Sequence, residues 1–248
     1  MSFVLTPEFA VLAAALAVAG LVRGFSGFGT GLIFMPLAST VIDPVMALII
    51  GWMVDTLPTL PIVLPALRTC TWKTIRPMLV GAFVGLPIGV AAIRYADPVP
   101  ARWAISLLTL AFALVLWSGW RYRRTPSSPL IVSIGLSSGL LGGFAGIPGP
   151  PVILFWMSSV AAAMARANII VYFAVLTVIS GGNYAVQGLF TVDAALRALA
   201  LAPIYFLAVF VGNKLFPYAA EQTYRRIAFI LIIASAIIGL PALDTVLR

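Results

Sequence analysis

The chain has 248 residues, 62% hydrophobic and 9% charged, with a net charge of +8 and a mean hydropathy of +1.12. Soluble domains run roughly 45–50% apolar and about 25% charged, so this chain cannot hide its apolar surface in water and reads as a membrane protein. Its basic residues sit between the apolar segments and form no sustained stripe, which excludes a nucleic-acid partner. Histidine is absent, so the commonest metal ligand and neutral-pH proton carrier is missing. Cys70 stands alone, and no Gly-x-Ser-x-Gly elbow or His-Glu-x-x-His occurs. Hydrolytic and metal chemistry lack their usual parts, and no enzyme, cofactor or metal is expected.

The first apolar segment covers about 9–22. Only Glu8 is charged ahead of Arg23, so the basic n-region of a cleaved leader is missing. The segment runs into a glycine-rich break, Gly24-Phe25-Ser26-Gly27-Phe28-Gly29-Thr30-Gly31, and a second short segment follows at about 31–42. Segments of 12–16 residues rise about 18–24 Å against a hydrocarbon core of ~30 Å, so the pair is expected to meet near its middle. Non-helical backbone at that depth survives only where it is buried or lines a wet cavity. Half-helix N-termini there would offer N–H groups and a positive dipole to an oxyanion. Arg23 is placed to bind a sulfonate or carboxylate, or else to snorkel to the interface. Ser26 and Thr30 add hydroxyls, and Gly27, Gly29 and Gly31 let a ligand approach the backbone. Gly20-xxx-Gly24 fits tight helix packing instead.

The next segments cover about 45–66, 76–95 and 102–120. Asp43 before Pro44 reads as a helix cap. Asp55, near the centre of 45–66, is the acidic candidate for a proton or cation coupling site, or else a structural partner of Arg23. Pro58, Pro61 and Pro65 predict a kink, serving gating or only shape. Two short segments, about 130–145 and 148–161, flank a second break, Gly139-Leu140-Leu141-Gly142-Gly143-Phe144-Ala145-Gly146. Gly135-xxx-Gly139 again fits helix packing, while Gly142, Gly143 and Gly146 read as unwound backbone for the substrate. Pro148, Pro150 and Pro151 prevent a continuous helix, and Pro148 is a gating candidate. Arg166 and Asn168 open the segment at about 165–186, as anion contacts or as a helix anchor and a backbone partner. Asn183 and Gln187 close it, Asn183 as a coupling residue or a plain terminator. Segments at about 194–216 and 225–243 complete the chain, and the six tryptophans mostly suit interfacial belts.

A shift of 115 places carries Gly20, Gly24, Gly27, Gly31 and Pro36 onto Gly135, Gly139, Gly142, Gly146 and Pro151. A second shift of 123 carries Gly89, Tyr95 and Arg102 onto Gly212, Tyr218 and Arg225. The chain therefore reads as a duplication, 1–124 and 130–248, joined by a cytoplasmic linker at 125–129. Arg68, Lys73 and Arg76 fill one loop, Arg121, Arg123 and Arg124 another, and Lys214, Arg225 and Arg226 a third, whereas Asp193 marks an external loop. With each short pair crossing twice or not at all, the halves run oppositely, as inverted repeats of about five segments with both termini outside. Paired breaks in such halves point to a transporter's binding site.

A short apolar helix, a Gly-x-Gly-Phe-type break, a following proline and a basic loop opening the next helix resemble the TauE/SafE sulfite exporter family, also called the four-toluene sulfonate uptake permease family. The resemblance covers nearly the whole chain, with Gly24, Gly27, Gly29, Gly31 and Pro36, then Gly139, Gly142, Gly143, Gly146 and Pro151, as its best residues. It implies an all-α, multi-pass secondary transporter of the bacterial inner membrane, working on small sulfur or organic oxyanions such as sulfite, sulfoacetate or other sulfonates. Many relatives carry Thr-Asn after an alanine of the following helix, where this chain has Ala47-Leu48-Ile49; Asn168 is the candidate for that part in the second half. An anionic substrate and the bilayer are the expected partners, with a proton or sodium gradient as driving force. An anion channel or a carboxylate carrier is the alternative, and a homo-oligomer stays open.

Overall fold

The computed structural model describes every residue except 1–2, 4–5, 27, 120–126, 216–220 and 248, together with the side chains at 25–26, 57–62, 158, 162, 221–225 and 246–247. The described residues form eleven α-helices and no strand: α1 Pro7–Ser26, α2 Thr30–Ala38, α3 Pro44–Leu67, α4 Trp72–Tyr95, α5 Pro98–Trp117, α6 Ser128–Ala145, α7 Gly149–Ser159, α8 Ala162–Val186, α9 Val192–Leu215, α10 Glu221–Ile238 and α11 Asp244–Leu247. This is an all-α polytopic membrane protein. Six of the helices, α1, α4, α5, α6, α8 and α9, are long and apolar enough to cross a bilayer.

Sequence chemistry sets the helix ends. Asp43 Oδ1 accepts the amides of Val45 (2.8 Å) and Met46 (3.3 Å), capping α3 as expected. Pro44 and Pro98 stand at first helical positions, where an N–H would be unused. Gly29 precedes α2 at φ 107° and Gly146 follows α6 at φ 67°, conformations that side chains resist. The helices are apolar on every side: α4 buries Ile75, Met78, Ala82 and Leu86 while exposing Val80, Phe83, Val84 and Ile88. Some hydroxyls inside them bond one turn back, as Thr109 does to Ile105 O and Ser180 to Leu176 O, which satisfies those two without water.

The breaks differ from the expectation in length and place. Segments 9–22 and 130–145 are not half-helices, because α1 and α6 run to 20 and 18 residues, about 30 and 27 Å. Only α2 and α7, with 9 and 11 residues, are short. Gly142 and Gly143 lie inside α6 rather than in a break, and Gly31 inside α2. The last apolar segment, expected at 225–243, is α10, Glu221–Ile238, followed by a 3-10 turn at Pro241–Leu243 and the short α11.

The chain packs as two compact units, one of Met1–Asp55, Ala96–Trp117 and Phe190–Arg248, the other of Thr56–Tyr95 and Ser118–Leu189. Each unit draws on both halves of the sequence. In the first, α1 lies along α9, with α2, α5 and α10 packed together; in the second, α6 lies along α4, with α7 and α8 beside them.

The same glycine contacts recur within each unit. A Cβ on Gly20 would meet the Tyr205 carbonyl, and one on Gly135 the Met78 carbonyl. Gly24 lies equally tight on Val209 and Gly139 on Ala82, while Gly212 rests on Leu21 as Gly85 does on Leu136. Contacts on α1 thus map to α6 with the shift of 115, and those on α4 to α9 with a shift of 127, which corrects the alignment of Gly89 with Gly212 by one helical turn. The packing reading of Gly20, Gly24, Gly135 and Gly139 holds. Gly143, expected in a substrate loop, joins them by packing on Leu86 and Val90.

Candidate functional site

Arg23 leaves the last turn of α1 and points its Nε at Asp55 Oδ1 on α3, 3.2 Å away. The pair is mostly shielded, with 13% and 29% of the two side chains exposed. Tyr205 of α9, fully buried, donates its hydroxyl to the same Oδ1. Thr30, in the first turn of α2, completes the cluster: its Oγ1 lies 2.8 Å from the Tyr205 hydroxyl and 3.4 Å from Asp55 Oδ1. Four helices of the first unit therefore bring a cation, a carboxylate and two hydroxyls together.

Local sequence explains the convergence. Gly29 turns the chain in the left-handed region, so α2 starts immediately after α1 and Thr30 comes back beside Arg23's end of that helix. Gly20 lets α9 come close enough for Tyr205 to reach the carboxylate, since a Cβ there would stand 3.2 Å from the Tyr205 ring and 2.8 Å from Ala208 Cβ. Asp55 is thus a structural partner of Arg23.

The second unit carries an uncharged counterpart. Ser138, which the 115-place shift aligns with Arg23, donates to Pro148 O (2.6 Å) and accepts from Tyr172 (2.8 Å). Nearby, Asn168 is fully buried; its Oδ1 accepts the Thr71 amide at the start of α4 (2.7 Å), while its Nδ2 has no hydrogen-bond partner among the described residues. Trp156 is also fully buried and donates to Thr74 Oγ1 at 3.3 Å, so it is a packing residue and not part of an interfacial belt.

The other candidates separate. Arg166 is exposed on α8, which suits an anchor. Asn183 stays within α8 and accepts from Gln187 Nε2 at 2.8 Å, a local bond near the helix end. Of the first four positions at the head of α7, Pro148 to Pro151, only Gly149 carries an N–H, so that terminus is poor in donors. The head of α2, Gly29 to Leu32, has all four. Gly27 and the Ser26 side chain lie outside the described residues, as do Arg121, Arg123, Arg124 and Trp120.

Sequence reasoning missed Tyr205, Ser138 and Tyr172. Tyrosine and serine in apolar helices carry no positional signal of their own. The repeat shift, applied to Arg23, does point at Ser138.

The family model for the sulfite exporter TauE/SafE matches residues 12–238. A protein of Cupriavidus necator named "Probable sulfite/organosulfonate exporter TauE" is 27% identical over 231 residues, covering 88% of this chain and 89% of that one. No solved structure matches. The chain belongs to the TauE/SafE sulfite exporter family, and is a multi-pass transporter of the bacterial inner membrane.

Proposed function

We propose that the protein exports a small sulfur oxyanion, sulfite or an organosulfonate, as a carrier working by alternating access. The observation that carries the proposal is Arg23, a guanidinium shielded within the membrane segments, beside the donor-rich head of α2 and held by one carboxylate. Intramembrane charges are costly and mark substrate paths. A guanidinium presents five donors in a planar fork that fits two oxygens of a sulfonate or sulfite at once. The substrate named for the relative from Cupriavidus necator has that chemistry.

Within this reading, Thr30, Gly29 and Gly31 at the head of α2 add backbone and hydroxyl donors beside Arg23. Asp55 couples transport to a cation gradient, of protons or sodium. In the second unit Asn168 offers its buried amide donor to an oxyanion, since a buried donor without a partner costs about 1–3 kcal/mol. The two halves of the sequence form an inverted repeat, on the strength of the recurring glycine contacts and the placement of basic loops.

Counterflow tests the carrier. Proteoliposomes preloaded with unlabelled isethionate or sulfite should accumulate the labelled anion transiently, and Arg23→Ala should abolish both this and anion binding while still inserting. Ohmic current without exchange would mark a channel. Arg23→Ala with unchanged affinity would move the site elsewhere, and preference for short carboxylates in the same assay would change the substrate class.

A further inference from the structure

We propose that the end of the second unit where α4, α6 and α8 begin is a capture site for the transported oxyanion, with the Asn168 amide and the first-turn amides of α4 as its donors. This rests on the substrate being a sulfur oxyanion, and it adds a place of first contact that does not involve Arg23.

The charge of the chain is divided unequally between the units. The first unit holds all seven acidic residues and seven of the 15 basic ones, so it is neutral. The second holds the other eight basic residues and no acid, and therefore carries the whole net charge of +8. Sorting of loops to one face of a membrane calls for cations there but places little demand on acids. With no carboxylate in their own unit to pair with, these cations direct their field outward, toward an approaching anion.

Packing gathers the charge at one end. Gly135, Gly139 and Gly143 on α6 meet Met78, Ala82 and Leu86 on α4 in the same order, so the two helices run parallel and start together. Asn168, near the start of α8, reaches Thr71, the residue before α4, so α8 begins at that end as well. Three helix heads, each the positive end of its dipole, thus share one end of the unit. Exposed Lys73 and Arg76 on α4, Arg68 just ahead of it and Arg166 on α8 surround them.

A charged end alone steers; Asn168 supplies the built donor. It is fully buried, and its Oδ1 accepts the Thr71 amide at 2.7 Å, which fixes the other end of the carboxamide as the donor. That Nδ2 has no hydrogen-bond partner among the described residues. Thr71 is half-buried and Trp72 and Lys73 are exposed, so the amide backs onto an open helix head. The Thr71 hydroxyl, in the position that usually caps a helix, turns instead to Met164 Sδ at 2.8 Å. The amides of Trp72 and Lys73 have no intrahelical acceptor. A sulfonate or sulfite presents three oxygens, which suit the Asn168 amide, the backbone head and the Lys73 ammonium. The positive-inside rule puts this end in the cytoplasm, the side from which an exporter loads.

Initial isethionate exchange by wild-type protein in phosphatidylcholine vesicles, which carry no anionic headgroup, tests the field. Vmax/KM should fall about 10-fold as potassium chloride rises from about 0.05 to about 0.5 M, with Vmax changed less than about twofold. A Vmax/KM unmoved by salt would overturn the proposal. Asn168→Asp tests the donor, because its carboxylate still accepts the Thr71 amide and keeps α4 capped while replacing the donor by a negative charge. The melting temperature should hold and Vmax/KM should fall at least about 10-fold, with Vmax retained. Wild-type Vmax/KM in this variant would make Asn168 a cap only, and a loss of Vmax at unchanged KM would make it structural; either overturns the proposal. A loss that appears only when phosphatidylglycerol is added would give the head of α4 to a lipid phosphate and overturn it too. If Asn168→Asp does not fold, the salt series on the wild type decides. Preference for short carboxylates over isethionate would overturn the underlying substrate reading instead, and it is measured without salt or variant, so the two failures are distinct.

Discussion

Arg23 and Asp55 form an ion pair between α1 and α3 in which neither side chain is more than 29% exposed. Removing one partner strands the other charge in a shielded site, at about 3–5 kcal/mol, whereas removing both is much less damaging. We expect Arg23→Met or Asp55→Leu alone to lower the melting temperature in detergent clearly, and the double variant to recover most of the loss. Net efflux should be absent in all three. A double variant as unstable as either single one would mean that the pair is not the main electrostatic partner of either group.

The glycine contacts make a sharper stability prediction. A methyl group on Gly24 would run into the Val209 carbonyl, and one on Gly139 into the Ala82 carbonyl. Helix backbones in direct contact cannot yield by rotating a side chain, so α1 and α9, or α4 and α6, would have to separate. Gly24→Ala and Gly139→Ala should each cost about 1–3 kcal/mol, as overpacking does. Gly182 provides the control: it is helical with nothing within 4 Å of a Cβ. Gly182→Ala should leave stability unchanged or raise it by up to about 1 kcal/mol. Thermal unfolding of the three variants in one detergent checks the order.

The glycines also show what the sequence discloses. A polar residue in an apolar chain stands out, so Arg23, Thr30, Asp55 and Asn168 were legible as site candidates, and the 115-place shift correctly matched the packing of α1 to that of α6. Dense glycine was ambiguous, because it marks both unwound backbone and close helix contact. At Gly29 and Gly146 the backbone turns with positive φ, whereas at Gly143 the helix continues and packs on α4. Helix length was misread for a related reason: polar Ser26 and Ser128 fall outside an apolar run but within the helices that the runs belong to. Tyr205 could not be found without the fold, since only the approach of α9 at Gly20 brings its hydroxyl to Asp55.

Arg102 carries a second shielded charge, remote in sequence from the first. Its Nη1 and Nη2 clasp both oxygens of Asp244 at 2.7 and 2.8 Å, fastening the short α11 to the start of α5. The guanidinium side chain is 8% exposed but Asp244 36%, so solvent screening reduces what the pair contributes. The cost of breaking it comes mainly from leaving Arg102 shielded without its carboxylate. Asp244→Ala should therefore lower stability by about 1–2 kcal/mol and open the segment after Gly239 to protease, with anion exchange unchanged once the protein is in lipid. A protease pattern identical to that of the unaltered chain would show that α11 is held by other contacts.

The unequal helix lengths make membrane orientation testable at a single loop. Between the basic run of the sequence at 121–124 and the loop at 187–191 lie α6, α7 and α8. At about 27 Å α6 nearly spans the hydrocarbon alone, while α7, at about 17 Å, does not. If the two act together as a pair, α8 carries the chain across once and the second half is inverted; if α6 crosses by itself, the loop returns to the starting face. Native Cys70 lies in the loop between α3 and α4 that carries Arg68, just ahead of Lys73 in the first turn of α4, and serves as the reference for the basic face. Partial desolvation raises its thiol above the ordinary pKa, so labelling is best done at alkaline pH. Further probes go at Thr125→Cys, Leu189→Cys and Ala220→Cys, each with Cys70→Ser; Leu189 is preferred to its neighbour because Gly188 holds φ 66°. An impermeant maleimide should reach positions 70, 125 and 220 from the cytoplasmic side and 189 from the other. Labelling of 189 together with 125 would make α6 a lone crossing, and the two halves would then be parallel rather than inverted.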